Sequence, residues 1–146
     1  MCIIVDANAA GDVARGTDGG RPVREWLLRG RSAGLIVGGR LLKELSEGGL
    51  RDTLRVLDQA GRLRRIAAAQ VERIEASLTS DRQCVSNDRH VVALVIASNC
   101  NLVFTKDKNL HKDLKNPRVL RSRPRIYQEA RHANLLAPCK CTSMED

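Results

Sequence analysis

At 146 residues the chain is the size of one ordinary domain, and an apolar fraction of 42% is enough for a real core. Aromatic residues make up only 2%, as Trp26, Phe104 and Tyr127, so the core is aliphatic and recognition of single strands by base stacking is disfavoured. The formal charge is +8, no apolar stretch is long enough to span a bilayer, and the amino terminus lacks the basic region and cleavage site of a signal peptide.

In chain order, residues 2–7 read as a first strand, Cys2-Ile3-Ile4-Val5 running into Asp6. A short helix over 24–28 follows Pro22, whose position suits a helix start. Residues 35–38 form a second strand. A helix over 41–45 is ended by Gly48-Gly49, and an amphipathic helix over 52–60 is stopped by Gly61. An edge strand over 63–66 precedes a helix over 67–78 with Val71, Ile74 and Leu78 on one face. Ser86-Asn87-Asp88 is a good amino-terminal cap for the helix 89–99, which is apolar nearly all round and therefore buried. Then come a strand at 102–105, a helix at 108–114 closed before Pro117, and a last strand within 119–127 interrupted by Pro124. A helix over 129–136 follows, and from Pro138 the chain reads as a loose tail. Strands alternating with helices imply an α/β fold, a three-layer α/β/α sandwich around a parallel sheet. No repeat or linker divides it, so residues 1–137 form one domain and 138–146 a flexible tail.

Four acids stand beside apolar runs: Asp6, Glu44, Asp88 and Asp107. A buried carboxylate must pair with a cation or shift its pKa until it is neutral, and several converging imply a bound cation. In open parallel sheets such sites lie at the carboxyl ends of strands, where Asp6 and Asp107 fall. Each acid also has a plainer reading. An Asp after a strand caps a turn or helix, Asp88 is a fitting cap, and Glu44 or Glu47 suits an exposed helix face. His90, His111 and His132 are scattered and read as surface residues.

The charge is uneven. Between Lys106 and Arg131 nine basic residues stand against three acidic ones, a net +6 of the total +8. Within this segment Lys106, Lys108, Arg121, Arg123 and Arg125 are candidates for contact with a polyanion backbone, against the plainer reading of a solvated basic face. Cys2, Cys84, Cys100, Cys139 and Cys141 are odd in number and show no disulfide spacing, which points to a reducing cytoplasm. Cys139 and Cys141 with His132 are a weak zinc signal.

In this setting the chain resembles the PIN domain, the small metal-dependent ribonuclease fold that includes VapC-type toxins. Val5-Asp6-Ala7-Asn8 fits the family's first strand ending, and Lys43-Glu44-Leu45 fits its Glu in the helix after the second strand. Asp88 opens the buried helix, and Val103-Phe104-Thr105-Lys106-Asp107-Lys108-Asn109-Leu110 fits the family's Thr-x-Asp signature. The match covers roughly residues 1–116. Where many members carry a further acid, this chain has Asn109, with Asp113 one turn on as a substitute.

The resemblance implies a ribonuclease with Asp6, Asp88 and Asp107 holding Mg²⁺ or Mn²⁺ directly or through water, and Glu44 holding metal water or orienting the attacking one. Asn8, Thr105 and Asn109 steer the carboxylates, and the products carry a 5′ phosphate and a 3′ hydroxyl. Its partners would be RNA, an antitoxin protein and a second copy of the chain, with no membrane. Receiver and haloacid-dehalogenase-like phosphotransfer domains also cluster acids at strand ends, but Asp6-Ala7-Asn8 supplies neither the paired acids of the first nor the Asp-x-Asp of the second. No P-loop is present. The non-enzyme alternative is a PIN-like module that binds RNA or protein without cutting.

Overall fold

The apolar runs become the strands of a five-stranded sheet, all parallel, in the order β3-β2-β1-β4-β5. The computed structural model of the protein describes residues 1–30, 32–81 and 84–136. Strands β1 (Cys2–Val5), β2 (Gly34–Gly38) and β4 (Leu102–Phe104) are buried almost throughout, as a sheet covered on both faces requires. β3 (Leu63–Ile66) and β5 (Arg125–Tyr127) are the more exposed edges. Pro124 precedes β5 and costs it no ladder bond, because proline is tolerated at the start of an edge strand.

The helices sort into two layers by what they touch. α1 (Ala7–Arg15), α2 (Gly20–Arg29) and α4 (Arg51–Gln59) share one, with a 3-10 helix, Ala130–Leu136, packed on α2. α5 (Ala68–Asp81), α6 (Arg89–Ser98) and α7 (Lys108–Lys115) form the other. α3 (Gly39–Leu45) lies across the carboxyl edge and touches both. The architecture is the expected three-layer α/β/α sandwich, with seven α-helices among the described residues.

Local departures from the expected elements have local causes. The strand expected over 2–7 ends at Val5, because Asp6 already caps α1 through the Ala7 amide. α1 was not expected from the sequence: Asn8 and Gly11 obscure it, and tertiary burial of Ala9, Ala10 and Val13 outweighs their propensity cost. Between α3 and α4 a π turn, Ser46–Leu50, carries Gly49 at φ 96°, so the glycine pair bends the chain without opening a loop. The segment expected to be a helix over 129–136 is the 3-10 helix. The tail expected over 138–146, with Cys139 and Cys141, lies outside the described residues, as does residue 137.

One aliphatic core joins the sheet to both layers, and Phe104 packs edge-on against Tyr127 at 4.8 Å. The Tyr127 hydroxyl donates to the Gly19 carbonyl at 2.7 Å, tying β5 to the start of α2. No described helix is long and apolar enough to cross a membrane.

Candidate active site

The strand order reverses direction between β1 and β4, and both strands end there on an acid-bearing loop. In open α/β sheets this switch point is where ligand crevices form. Asp6 follows β1 and is 2% exposed. Its Oδ1 accepts from the Ala7 amide at 2.8 Å and its Oδ2 from the Thr105 hydroxyl at 2.8 Å. Asp107 follows β4 and caps α7, Oδ1 accepting from the Asn109 amide at 2.9 Å and more weakly from that of Leu110 at 3.4 Å. The Thr105 hydroxyl also accepts from the Asp107 amide at 3.1 Å, so one buried side chain bridges the two acids. Asn8 Oδ1 accepts from the Lys106 amide at 3.3 Å and joins α1 to the same loop.

Asp88 arrives from the opposite layer. It stands at the cap position of α6, but its side chain makes no capping hydrogen bond, so the capping reading does not account for it. The Asp107 carboxyl is instead among the charges that act on it. Burial raises the Asp88 carboxyl above the usual range, and the charges of Asp107 and Glu44 raise it further. Burial likewise raises Asp6, and the charge of Asp88 adds to it against the hydrogen bond from Thr105. Asp6, Glu44, Asp88 and Asp107 therefore share one electrostatic neighbourhood although they come from four separate stretches of chain.

The histidines are not surface residues scattered at random, contrary to expectation. His90 is 2% exposed, and its Nε2 lies 2.7 Å from Glu44 Oε1. Its Nδ1 lies 2.7 Å from Arg40 Nη2, and Arg40 also reaches Glu75 at 3.8 Å. His111 is buried, donates from Nε2 to the Thr105 carbonyl at 2.9 Å, and accepts at Nδ1 from the Gln128 amide side chain at 3.2 Å. His132 is half-buried and accepts at Nδ1 from the Gln128 backbone at 3.1 Å. The signal that could have located His90 was its place on a helix apolar all round, where any side chain is buried.

Asp113 does not replace the acid that Asn109 lacks. It is 1% exposed, and its two oxygens accept from the Val85 amide at 2.7 Å and the Ser86 amide at 2.9 Å. It thus holds the segment leading to Asp88. Asn109 is exposed in the first turn of α7 and contributes its backbone amide to Asp107.

The basic candidates divide between the two ends of the sheet. Lys106 and Lys108 lie at the carboxyl end, but Lys106 is ion-paired to the buried Asp12, a residue the sequence did not single out. Lys106 holds the Asp12 carboxyl below the usual range. Arg121, Arg123 and Arg125 lie at the amino end, since Arg125 pairs in register with Leu102 and its amide donates to Asn101. Arg123 reaches back to the Lys115 carbonyl at 3.3 Å. The acids and these arginines do not form the single continuous cradle that their nearness in sequence suggested.

Carboxylate oxygens of this kind are what Mg²⁺ and Mn²⁺ prefer, and the donor set fits such an ion in chemistry. Among the described residues no three His, Cys, Asp or Glu side chains are gathered into a group able to hold a metal by themselves. Three of the acids are turned to protein partners: Asp6 to Thr105, Asp107 to the Asn109 amide, Glu44 to His90. Mg²⁺ asks for less than a complete protein cage, because it keeps several waters and takes one or two carboxylates with substrate phosphate oxygens.

No family model matches the chain, and neither a curated protein nor a solved structure matches it.

Proposed function

We propose that the chain is a cytoplasmic metal-dependent ribonuclease of the PIN type, hydrolysing RNA phosphodiester bonds with Mg²⁺ or Mn²⁺. What supports this reading is that Asp6 and Asp107 follow β1 and β4 at the sheet's switch point, with Asp6 and Asp88 raised first by burial and further by neighbouring carboxylates. Such crowding is relieved by a divalent cation, and a phosphodiester supplies the remaining oxygens.

In this reading Asp6, Asp88 and Asp107 hold the ion directly or through its waters. When bound, the ion makes a water easier to deprotonate and offsets charge developing on the phosphate. Thr105 keeps Asp6 and the Asp107 backbone at a set separation, and Glu44 orients the attacking water. Lys108, exposed on the first turn of α7, would meet a neighbouring phosphate in this reading. The products are a 5′ phosphate and a 3′ hydroxyl. An antitoxin protein and a second copy of the chain are the protein partners this reading brings with it.

The test is a panel of structured and single-stranded RNAs, each with Mg²⁺, Mn²⁺, Ca²⁺ or EDTA, beside Asp88→Ala prepared identically. Cleavage is expected with Mg²⁺ or Mn²⁺, rising with pH as the bound water ionises, and little with Ca²⁺, which is larger and less strictly octahedral. Tight RNA binding without cleavage in Mn²⁺ would replace the nuclease by a non-catalytic binding module. Cleavage persisting in EDTA or in the variant marks a contaminant.

A further inference from the structure

Arg40 and Glu44 stand four residues apart on α3, the spacing at which a guanidinium and a carboxylate ordinarily pair directly. Here a buried imidazole from α6 stands between them. Arginine can only donate, so His90 Nδ1 accepts from Arg40 and the ring's one proton sits on Nε2, donated to Glu44 Oε1. Both bonds are 2.7 Å, and the ring cannot turn without breaking both. The residues that follow it on α6, Val91 to Val95, are buried and apolar, so packing alone would be served by an aliphatic side chain. The polar ring has a polar task.

We infer that His90 is a positioning residue for Glu44. By standing between the two, it gives the carboxylate a single N–H at Oε1 and keeps the Arg40 guanidinium from taking both of its oxygens. Oε2 accepts no hydrogen bond among the described residues. It is thereby kept for a water at the acid cluster, while α3, a helix of seven residues ending in a π turn, is pinned to the opposite layer. This rests on the nuclease reading above, in which Glu44 orients the attacking water.

The experiment compares wild type, His90→Leu, His90→Gln, Glu44→Gln and the double variant His90→Leu/Glu44→Gln in RNA cleavage. Mn²⁺ binding is followed in parallel by the electron-spin signal of free Mn²⁺. His90→Leu is expected to lower kcat about 10- to 100-fold, the usual loss when a supporting partner is removed, with KM and Mn²⁺ affinity nearly unchanged. His90→Gln, whose side-chain amide can still donate to Glu44, is expected to recover most of the loss. In the Glu44→Gln background His90→Leu is expected to cost no more than about twofold further, because the two act as a unit. Independent losses in the double variant, or failure of His90→Gln to recover activity while it folds and binds Mn²⁺, would overturn the inference alone.

In the metal-free protein, imidazole nitrogen shifts are expected to show the proton on Nε2, and the other tautomer would also overturn it. A wild type that neither binds Mn²⁺ nor cuts RNA removes the nuclease reading and this one together.

Discussion

Thr105 shows how much one side chain can hold. It is fully buried, donates to Asp6 and accepts from the Asp107 amide. Thr105→Val keeps the shape but leaves the amide and a carboxylate oxygen unsatisfied, which costs about 1–3 kcal/mol by the usual penalty for a buried polar group; urea unfolding measures it. The acids themselves predict opposite pH behaviour. Burial raises Asp6 and Asp88 above 3.8, so both hold protons more tightly folded than unfolded. The stability tied to that protonation is full below the ordinary value and is lost as pH rises through the raised one. In EDTA, Asp88→Asn escapes its share of this loss, so its stability relative to wild type should grow as pH rises from about 4. Parallel pH curves for the two proteins would sink the crowded-carboxyl reading. Asp12 has the reverse sign: Lys106 lowers its carboxyl, giving stability present above 3.8 and lost as pH falls through the folded value. Asp12→Asn is therefore expected to be most damaging near neutrality and least in acid.

The elements place these side chains through a few tight contacts. Asp113, near the end of α7, accepts from the Val85 and Ser86 amides, three and two residues before Asp88, and so carries the entry to α6. Asp113→Ala should cost about 1.5–3 kcal/mol for each charged hydrogen bond lost, with amide exchange at Val85 and Ser86 accelerating before the sheet does. Uniform acceleration would mean that Asp113 supports the whole fold instead. The crossing of α1 and α2 is just as local. A Cβ on Gly20 would lie 2.1 Å from the Asp12 backbone carbon, and backbone cannot step aside as a side chain can. Gly20→Ala is expected to destabilise by about 1–3 kcal/mol or more, as overpacking does. It would also displace Asp12 and with it Lys106. α1 itself was hidden because Asn8 and Gly11 interrupt a run of small residues, yet the helix buries Ala9, Ala10 and Val13 on one face.

For the molecule as a whole, the decisive feature is which residues share an end of the sheet. Lys108 stands with the acids, while Arg121, Arg123 and Arg125 stand at the amino end. For a short single-stranded RNA, Lys108→Ala should therefore flatten the salt dependence of binding by about 0.7 in the log–log slope, one phosphate contact. The triple alanine variant of the arginines should leave the slope unchanged. A flattened slope in the triple variant would mean that RNA wraps around to the amino end. Mn²⁺ should raise the melting temperature of wild type but not of Asp6→Asn or Asp107→Asn, because only a folded state that binds the ion gains stability by mass action. Equal gains in all three would remove the metal assignment.

The alternation of apolar runs with helical periods determined the α/β class, since period and burial are properties of consecutive residues. In a parallel sheet the carboxyl ends of the strands share one edge, so Asp6 and Asp107 were legible there, and the resemblance marked Thr105 as a residue that hydrogen-bonds a carboxylate. What lay beyond reach was contact between residues far apart in the chain. That Asp88 leaves α6 without a side-chain cap, that His90 separates Arg40 from Glu44, and that Asp113 holds the loop before α6 all depend on how two helical layers close over the sheet. So does the separation of the arginines from the acids, because α7 runs back along the strands and carries the chain from one end of the sheet to the other. A sequence records order along the chain, and only tertiary packing decides which end and which face each charge occupies.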